Sequence, residues 1–191
     1  MSRVIIFCGP PASGKTTLAS EVSRRLNIFC LHKDALKERM YTLLGGKSLE
    51  DSQRYGRCVI EMILALAEDS INNGVDVIVE SPFNHPDNLK RFRGWQEKYD
   101  IDLRVIVCSI DEAERKRRYG TRVRHPGHHD QERLNQYPFH PDDFDYGVMP
   151  GKKLVVETVG DQEASVKRIL EFILDRHLLR KKEVEETNIR S

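Results

Sequence analysis

Gly9-Pro10-Pro11-Ala12-Ser13-Gly14-Lys15-Thr16 fits G-x-x-x-x-G-K-[ST], the phosphate-binding P-loop pattern. Its flanks suit it. Before it, Arg3-Val4-Ile5-Ile6-Phe7-Cys8 is a short β-branched run that reads as a buried strand. After it, Thr17 to Leu26 carries Leu18, Ala19, Val22 and Leu26 at helical spacing. Glycines let the backbone wrap a phosphate without a Cβ in the way, and the helix N-terminus supplies positive field. The pattern assigns Gly9, Pro10, Pro11, Ala12, Ser13, Gly14, Lys15, Thr16 and Thr17 to nucleotide binding. Lys15 is expected to reach the β- and γ-phosphates, and Thr16 to hold Mg²⁺.

Outward from this loop, strand candidates fall at Val4–Cys8, Ile28–Leu31, Val75–Val79, Leu103–Ser109 and Lys153–Glu157. Helical patterns separate them, at about 15–26, 33–44, 50–73, 86–98, 111–119 and 162–179. Asn73-Gly74 reads as the C-terminal cap of the long third helix. Continuous apolar strands alternating with helices predict an α/β fold, a parallel sheet covered on both faces. Ligands in such sheets sit at the carboxyl ends of the strands, so the residues just after each strand form the candidate site.

Asp34 follows the second strand in Leu31-His32-Lys33-Asp34. A carboxylate there faces the substrate side of the loop and suits a base that takes the proton of an acceptor hydroxyl. Capping of the following helix is the other reading. Glu80 ends Val75-Asp76-Val77-Ile78-Val79-Glu80, an apolar strand closed by an acid, which reads as a Mg²⁺-holding Walker B position. Ser81, Asn84 and His85 follow on a proline-stiffened loop and are candidate acceptor contacts, with plain turn chemistry the alternative.

Arg115, Lys116, Arg117, Arg118, Arg122 and Arg124 put six basic residues in ten positions. Such a run reads as a solvated face, a nucleic-acid patch, or cations for a transferred phosphoryl group. Arg118 and Arg122 are spaced to share a helix face if the fifth helix runs that far, and with Arg124 they are the candidate phosphate and substrate cations. Thr121–Gly151 follows, with four prolines, three glycines and four of the seven histidines, and is expected to be a lid from about 120 to 151. Within it, His125-Pro126-Gly127-His128-His129-Asp130 lacks the ligand spacing of a zinc site. Residues 180–191 read as a charged tail beyond a domain spanning 1–179.

Bulk properties agree with a globular chain: 39% hydrophobic, 32% charged, formal net charge +1. That balance weighs against a long nucleic-acid surface. Cys8, Cys30, Cys58 and Cys108 are widely spaced and read as reduced thiols of a cytoplasmic protein, three of them in core strands. No apolar run approaches a membrane span, so no membrane partner is expected. An Asn-Lys-x-Asp guanine motif is absent, which favours ATP over GTP.

The P-loop with Lys15-Thr16-Thr17, the Lys33-Asp34 step, the strand end at Glu80, the arginine-rich helix and the Arg-x-Arg-His-Pro-Gly-His run together resemble small P-loop kinases. The group includes chloramphenicol phosphotransferase, zeta-toxin-like kinases and the polynucleotide 5′-kinase domain, with many relatives labelled AAA family ATPases. The resemblance covers about residues 3–179 and implies a nucleoside-monophosphate-kinase-like core with sheet order 2-3-1-4-5. It also implies ATP and Mg²⁺, an acid after the second strand as base, and lid arginines. The Gly45-Gly46 connection, with Tyr41, Arg54, Tyr55 and Arg57 near it, would then lie over the acceptor. The sensor motifs and second-region arginine finger of AAA+ motors are absent. Together the residues point to an ATP-dependent phosphotransferase acting on a hydroxyl of a small molecule or nucleotide. A polynucleotide end kinase and a nucleotide-binding regulatory module are the alternatives.

Overall fold

The computed structural model describes residues 1–130, 132 and 145–174. Five strands form one sheet: β1 (Ser2–Cys8), β2 (Cys30–His32), β3 (Val77–Glu80), β4 (Ile101–Ser109) and β5 (Lys152–Glu157). Their order is β2-β3-β1-β4-β5, and every neighbouring pair is parallel. This is the order the kinase resemblance implies. The helices are α1 (Lys15–Leu26), α2 (Lys33–Leu43), α3 (Leu49–Asn72), α4 (Pro86–Lys98), α5 (Glu112–Thr121) and α6 (Gln162–Leu174).

Alternation along β1 explains the three layers. Val4, Ile6 and Cys8 pack with Val59, Ile63 and Ala67 of α3 and Phe92 and Trp95 of α4. Ile5 and Phe7 point the other way, onto Leu18, Ala19 and Val22 of α1 and Val166, Ile169 and Ile173 of α6. A strand apolar on both faces has to be covered on both, and the central place of β1 puts the loop that follows it in the middle of the sheet's carboxyl edge.

Local chemistry sets the helix ends. Ser48 and Asp51 form a reciprocal capping box at the start of α3. At its end, Gly74 has φ 70°, its N–H reaches Ile71 O, and the Val75 N–H reaches Ser70 O, which is the Schellman arrangement expected of Asn73-Gly74. Val75 is therefore spent on the cap, and β3 starts at Val77, two residues later than the apolar run suggests.

Several expectations need correction. α5 stops at Thr121, and Arg122 is already extended at φ −75°, ψ 135°, so Arg118 and Arg122 do not share a helix face. Cys30 is only half-buried, because β2 is an edge strand, whereas Cys8 and Cys108 are buried. The tail at 180–191, residues 175–179 of the expected last helix, and most of the lid between 131 and 144 lie outside the described residues. Among the described residues no helix is long and apolar enough to cross a membrane.

Candidate active site

The turn after β1 is built for an anion. Gly9 has φ 135°, and a Cβ there would lie 2.3 Å from the Cys108 carbonyl oxygen, so only glycine fits between this loop and β4. Gly14, at φ 78°, is the residue from which α1 starts, and Ala12 also takes a positive φ of 65°. Lys15 is buried at the first position of α1, and its Nζ donates to Pro10 O at 2.8 Å. Burial holds its ammonium below the usual lysine range, with Glu80 the main charge opposing that. The Ser13 hydroxyl is buried without a partner among the described residues. An orphaned donor beside a buried lysine is what a phosphate would satisfy.

Glu80 closes β3 beside the loop. Its Oε2 accepts from Thr16 Oγ1 at 3.2 Å and lies 3.3 Å from His32 Nδ1. His32 Nε2 lies 3.3 Å from Ser20 Oγ, so a chain of side chains ties β2, β3 and α1. Thr16 and Glu80 are hard oxygen donors next to the phosphate loop, a set that fits Mg²⁺. Among the described residues there is no cluster of three or more His, Cys, Asp or Glu set to hold a metal ion.

Asp34 is the second residue of α2, and the capping position belongs to His32. Its carboxylate pairs with Lys33 Nζ at 3.0 Å and with Arg124 Nη2. Burial alone would push the carboxyl up. The charges of Lys33, Arg124 and His128 outweigh it and hold Asp34 well below the usual carboxylate range.

The three arginines separate. Arg118 is held by Glu114 at 2.8 Å and donates to Thr158 O at 3.0 Å, beside Gly14. Arg122 stacks on Tyr119 with its guanidinium carbon 4.0 Å from the ring centre, and donates to Asp130 at 3.1 Å. Arg124 reaches Asp34, Asp130 and His128. The His-Pro-Gly-His-His run is a short 3-10 turn (Pro126–His128) lying against α2 and α3.

Lys15, Thr16, Glu80, Asp34 and the three arginines line one cleft of about 1140 Å³. Pro11, Ala12, Gly14, Lys15, Thr16, Thr17, Glu80 and Arg118 line it on the P-loop side. Lys33, Asp34, Lys37, Glu38, Gln53, Arg122, Arg124, His125, His128 and Asp130 line much of the remainder. Gly9, Pro10 and Ser13 of the loop are not among the residues that line the cleft.

Ser81 and Asn84 are not brought to the cleft. Phe83 turns into the core at φ 47° and packs edge-on against Phe92. That turn leaves Ser81 buried and sends Asn84 and His85 to solvent, where His85 caps α4. Pro82 is the residue of this loop that lines the cleft. Arg54 and Arg57 are exposed and do not line it; Gln53 of the same helix does. Sequence reasoning missed His32, Lys37 and Gln53. Lys37 carried a usable signal, standing one turn after Lys33 on the same face of α2.

Comparison with known proteins fits this geometry. The sequence model of the AAA_33 family, described as an AAA domain, matches residues 4–138. Adenylate kinase 8 of Rattus norvegicus is 37% identical over 70 residues, 37% of this chain and 14% of that protein. A protein of Archaeoglobus fulgidus assigned as an adenylyl-sulfate kinase is 30% identical over 112 residues, 56% of this chain and 64% of that protein. The matches thus span less than two thirds of these relatives' lengths. A Chloroflexus aurantiacus protein assigned as a kinase superposes with TM-score 0.67 at 26% identity, covering 89% of this chain and 97% of that one. The APS kinase of Mycobacterium tuberculosis, solved with AMPPNP and APS, shares the fold with TM-score 0.61 at 17% identity, covering 91% and 98%. With its family's sequence pattern matched over most of its length and its sheet wound as in these kinases, the chain belongs to the AAA_33 family of P-loop kinase domains.

Proposed function

We propose that the protein is an ATP-dependent phosphotransferase that moves the γ-phosphate to a hydroxyl of a small molecule or nucleotide. One observation carries this reading: a phosphate loop and a carboxylate, Asp34, that neighbouring cations hold well below the usual carboxylate range line the same cleft. A nucleotide switch has no use for an acceptor base placed there.

The step balances simply. The acceptor O–H gives its proton to Asp34 as its oxygen bonds to the γ-phosphorus, and the bond from that phosphorus to the β,γ-bridging oxygen breaks, leaving ADP. Lys15 and the loop N–H groups steady the phosphates, and Arg122 and Arg124 face charge that builds on the transferred group. Thr16 and Glu80 would hold Mg²⁺, which when bound neutralises phosphate charge.

A small acceptor is favoured over a nucleic-acid end. The basic run is locally neutralised, with Lys116 paired to Glu112 and Arg117 paired to Glu114, both at 2.6 Å. Gluconokinase and APS kinase, whose folds this chain shares, are named for small acceptors.

The test is a phosphorus-NMR and mass-spectrometric screen of ATP against pooled metabolites, nucleosides and RNA 5′ ends. Lys15→Ala and Asp34→Asn serve as controls. A product from one pool that Lys15→Ala abolishes supports the reading. Tight ATP binding with no product from any pool would replace it with a regulatory nucleotide-binding role.

A further inference from the structure

We infer that Tyr41 is a positioning residue, gripping the 122–130 segment against α2 and α3 and so setting where Arg122 and Arg124 stand in the acceptor half of the cleft. The inference rests on the reading of that half proposed above. It gives a role to two glycine-bearing stretches that the phosphate chemistry leaves unexplained, Gly45-Gly46 and Pro126-Gly127.

Both stretches close on one ring. A Cβ at Gly46 would lie 2.6 Å from the Tyr41 ring, and a Cβ at Gly127 would also lie 2.6 Å from it. Side chains do not make contacts that short, so glycine at both places lets two backbones press on the same aromatic surface. The Tyr41 phenol lies 2.8 Å from His129 Nε2. Its ring meets His125 and His129 edge-on, with centres 6.0 and 5.8 Å away, and Tyr55 of α3 at 6.1 Å. Tyr41 is only 7% exposed, so these contacts are dry.

Three further bonds surround the ring. Buried Ser52 Oγ donates to Gly127 O at 2.6 Å. Thr42 Oγ1 lies 3.2 Å from His125 Nε2, and His128 Nε2 lies 2.7 Å from Glu38 Oε1. Helices α2 and α3 thus hold four of the five residues from His125 to His129. Asp130, the next residue, binds both Arg122 and Arg124, and Arg124 returns to Asp34 on α2.

The arginines therefore belong to the acceptor wall and not to a freely hinged flap. Whatever moves α2 moves them too. Tyr41 does this without lining the cleft itself.

The experiment uses the full chain with Tyr41→Phe, Tyr41→Ala and Gly127→Ala. Limited trypsin digestion read by mass spectrometry reports release of Arg122 and Arg124, and titration with a non-hydrolysable ATP analogue and Mg²⁺ reports the nucleotide half. Cleavage after Arg122 and Arg124 is expected to rise about tenfold in Tyr41→Ala and Gly127→Ala and about twofold in Tyr41→Phe, relative to sites on α4. Nucleotide affinity is expected to stay within about twofold. For any acceptor found, Tyr41→Ala should lower kcat about tenfold or more at unchanged KM for ATP. It should cost nothing further in an Arg122→Met, Arg124→Met background, whereas a merely structural residue would add its full cost.

Unchanged cleavage at the two arginines, acceleration spread equally over all sites, or full additivity would overturn the inference. If Tyr41→Ala fails to fold, Tyr41→Phe and Gly127→Ala decide by the same readout. If no acceptor is phosphorylated, the phosphotransferase reading falls while the cleavage pattern still decides the role of Tyr41.

Discussion

The hydroxyl of Thr16 lies 3.2 Å from the carboxylate of Glu80, although 64 residues separate them. Adjacent strands bring them together: Phe7 of β1 pairs in register with Glu80 of β3, and the loop after β1 returns Thr16 to that edge. Glu80→Gln keeps the volume and removes the charge. It should weaken nucleotide binding in the presence of Mg²⁺ about tenfold and leave binding in EDTA unchanged. Calorimetric titration with and without Mg²⁺ checks this; equal losses in both would take Glu80 away from the metal.

Gly9→Ala places a methyl group 2.3 Å from the Cys108 carbonyl oxygen at a φ that L residues avoid. Backbone on both sides leaves nothing flexible to yield. A loss of about 2 kcal/mol or more in denaturant unfolding is expected, with nucleotide binding lost alongside. A variant of wild-type stability would show that the β1–β4 spacing is softer than it looks.

Asp34→Asn removes the carboxylate proposed as proton acceptor and keeps the shape. Transfer should fall about 10²- to 10⁴-fold while nucleotide affinity holds. Because Lys33 and Arg124 keep the wild-type carboxyl ionised well below its usual range, no loss of rate between pH 7 and about pH 5 should trace to Asp34. A rate limb in that window that Asp34→Asn abolishes would contradict the ionised state.

His128 gives the fold its own pH dependence. Burial lowers its pKa from 6.5 to about 4, with Asp34 and Glu38 pulling it up and Arg124 and Lys37 pushing it down. Between those values the unfolded chain binds a proton that the folded chain refuses. Stability should therefore fall as pH drops from about 6.5 towards 4, by at most about 3 kcal/mol, and gain nothing from this group above 6.5. Urea melts at pH 7 and 4.5 test it: the gap between wild type and His128→Gln should narrow in acid. A gap that stays constant would assign the acid sensitivity to other groups.

The scaffold was legible because its signals are local. A β-branched run, a glycine loop and a helix at 3.6 spacing placed β1, the P-loop and α1, and Asn73-Gly74 announced the end of α3. Strand edges were less so: β2 runs Cys30–His32, not Ile28–Leu31, because pairing with β3 and not hydrophobicity sets its start. Lys15, Asp34, Glu80 and Arg124, which all line the cleft, stand in motifs or at strand ends that can be read in one dimension. Asp130 and Tyr41 do not. Their roles depend on contacts such as Tyr41 with His129, 88 residues apart, that no period encodes. Ser81 and Asn84 misled because a buried Phe83 reverses the chain between them, and one aromatic among loop residues did not advertise that turn.

The pairing of Phe7 with Glu80 has an evolutionary consequence. The distance between phosphate loop and acid is written into a backbone ladder, so it does not depend on the cleft-lining side chains of α2 and the 122–130 segment. On the proposed reading the P-loop side is a fixed chassis, and the acceptor side is interchangeable bodywork held on by Tyr41 and its two glycines. A protein engineer seeking a new acceptor would leave the ladder alone and redraw Lys37, Gln53 and His125 inside that frame.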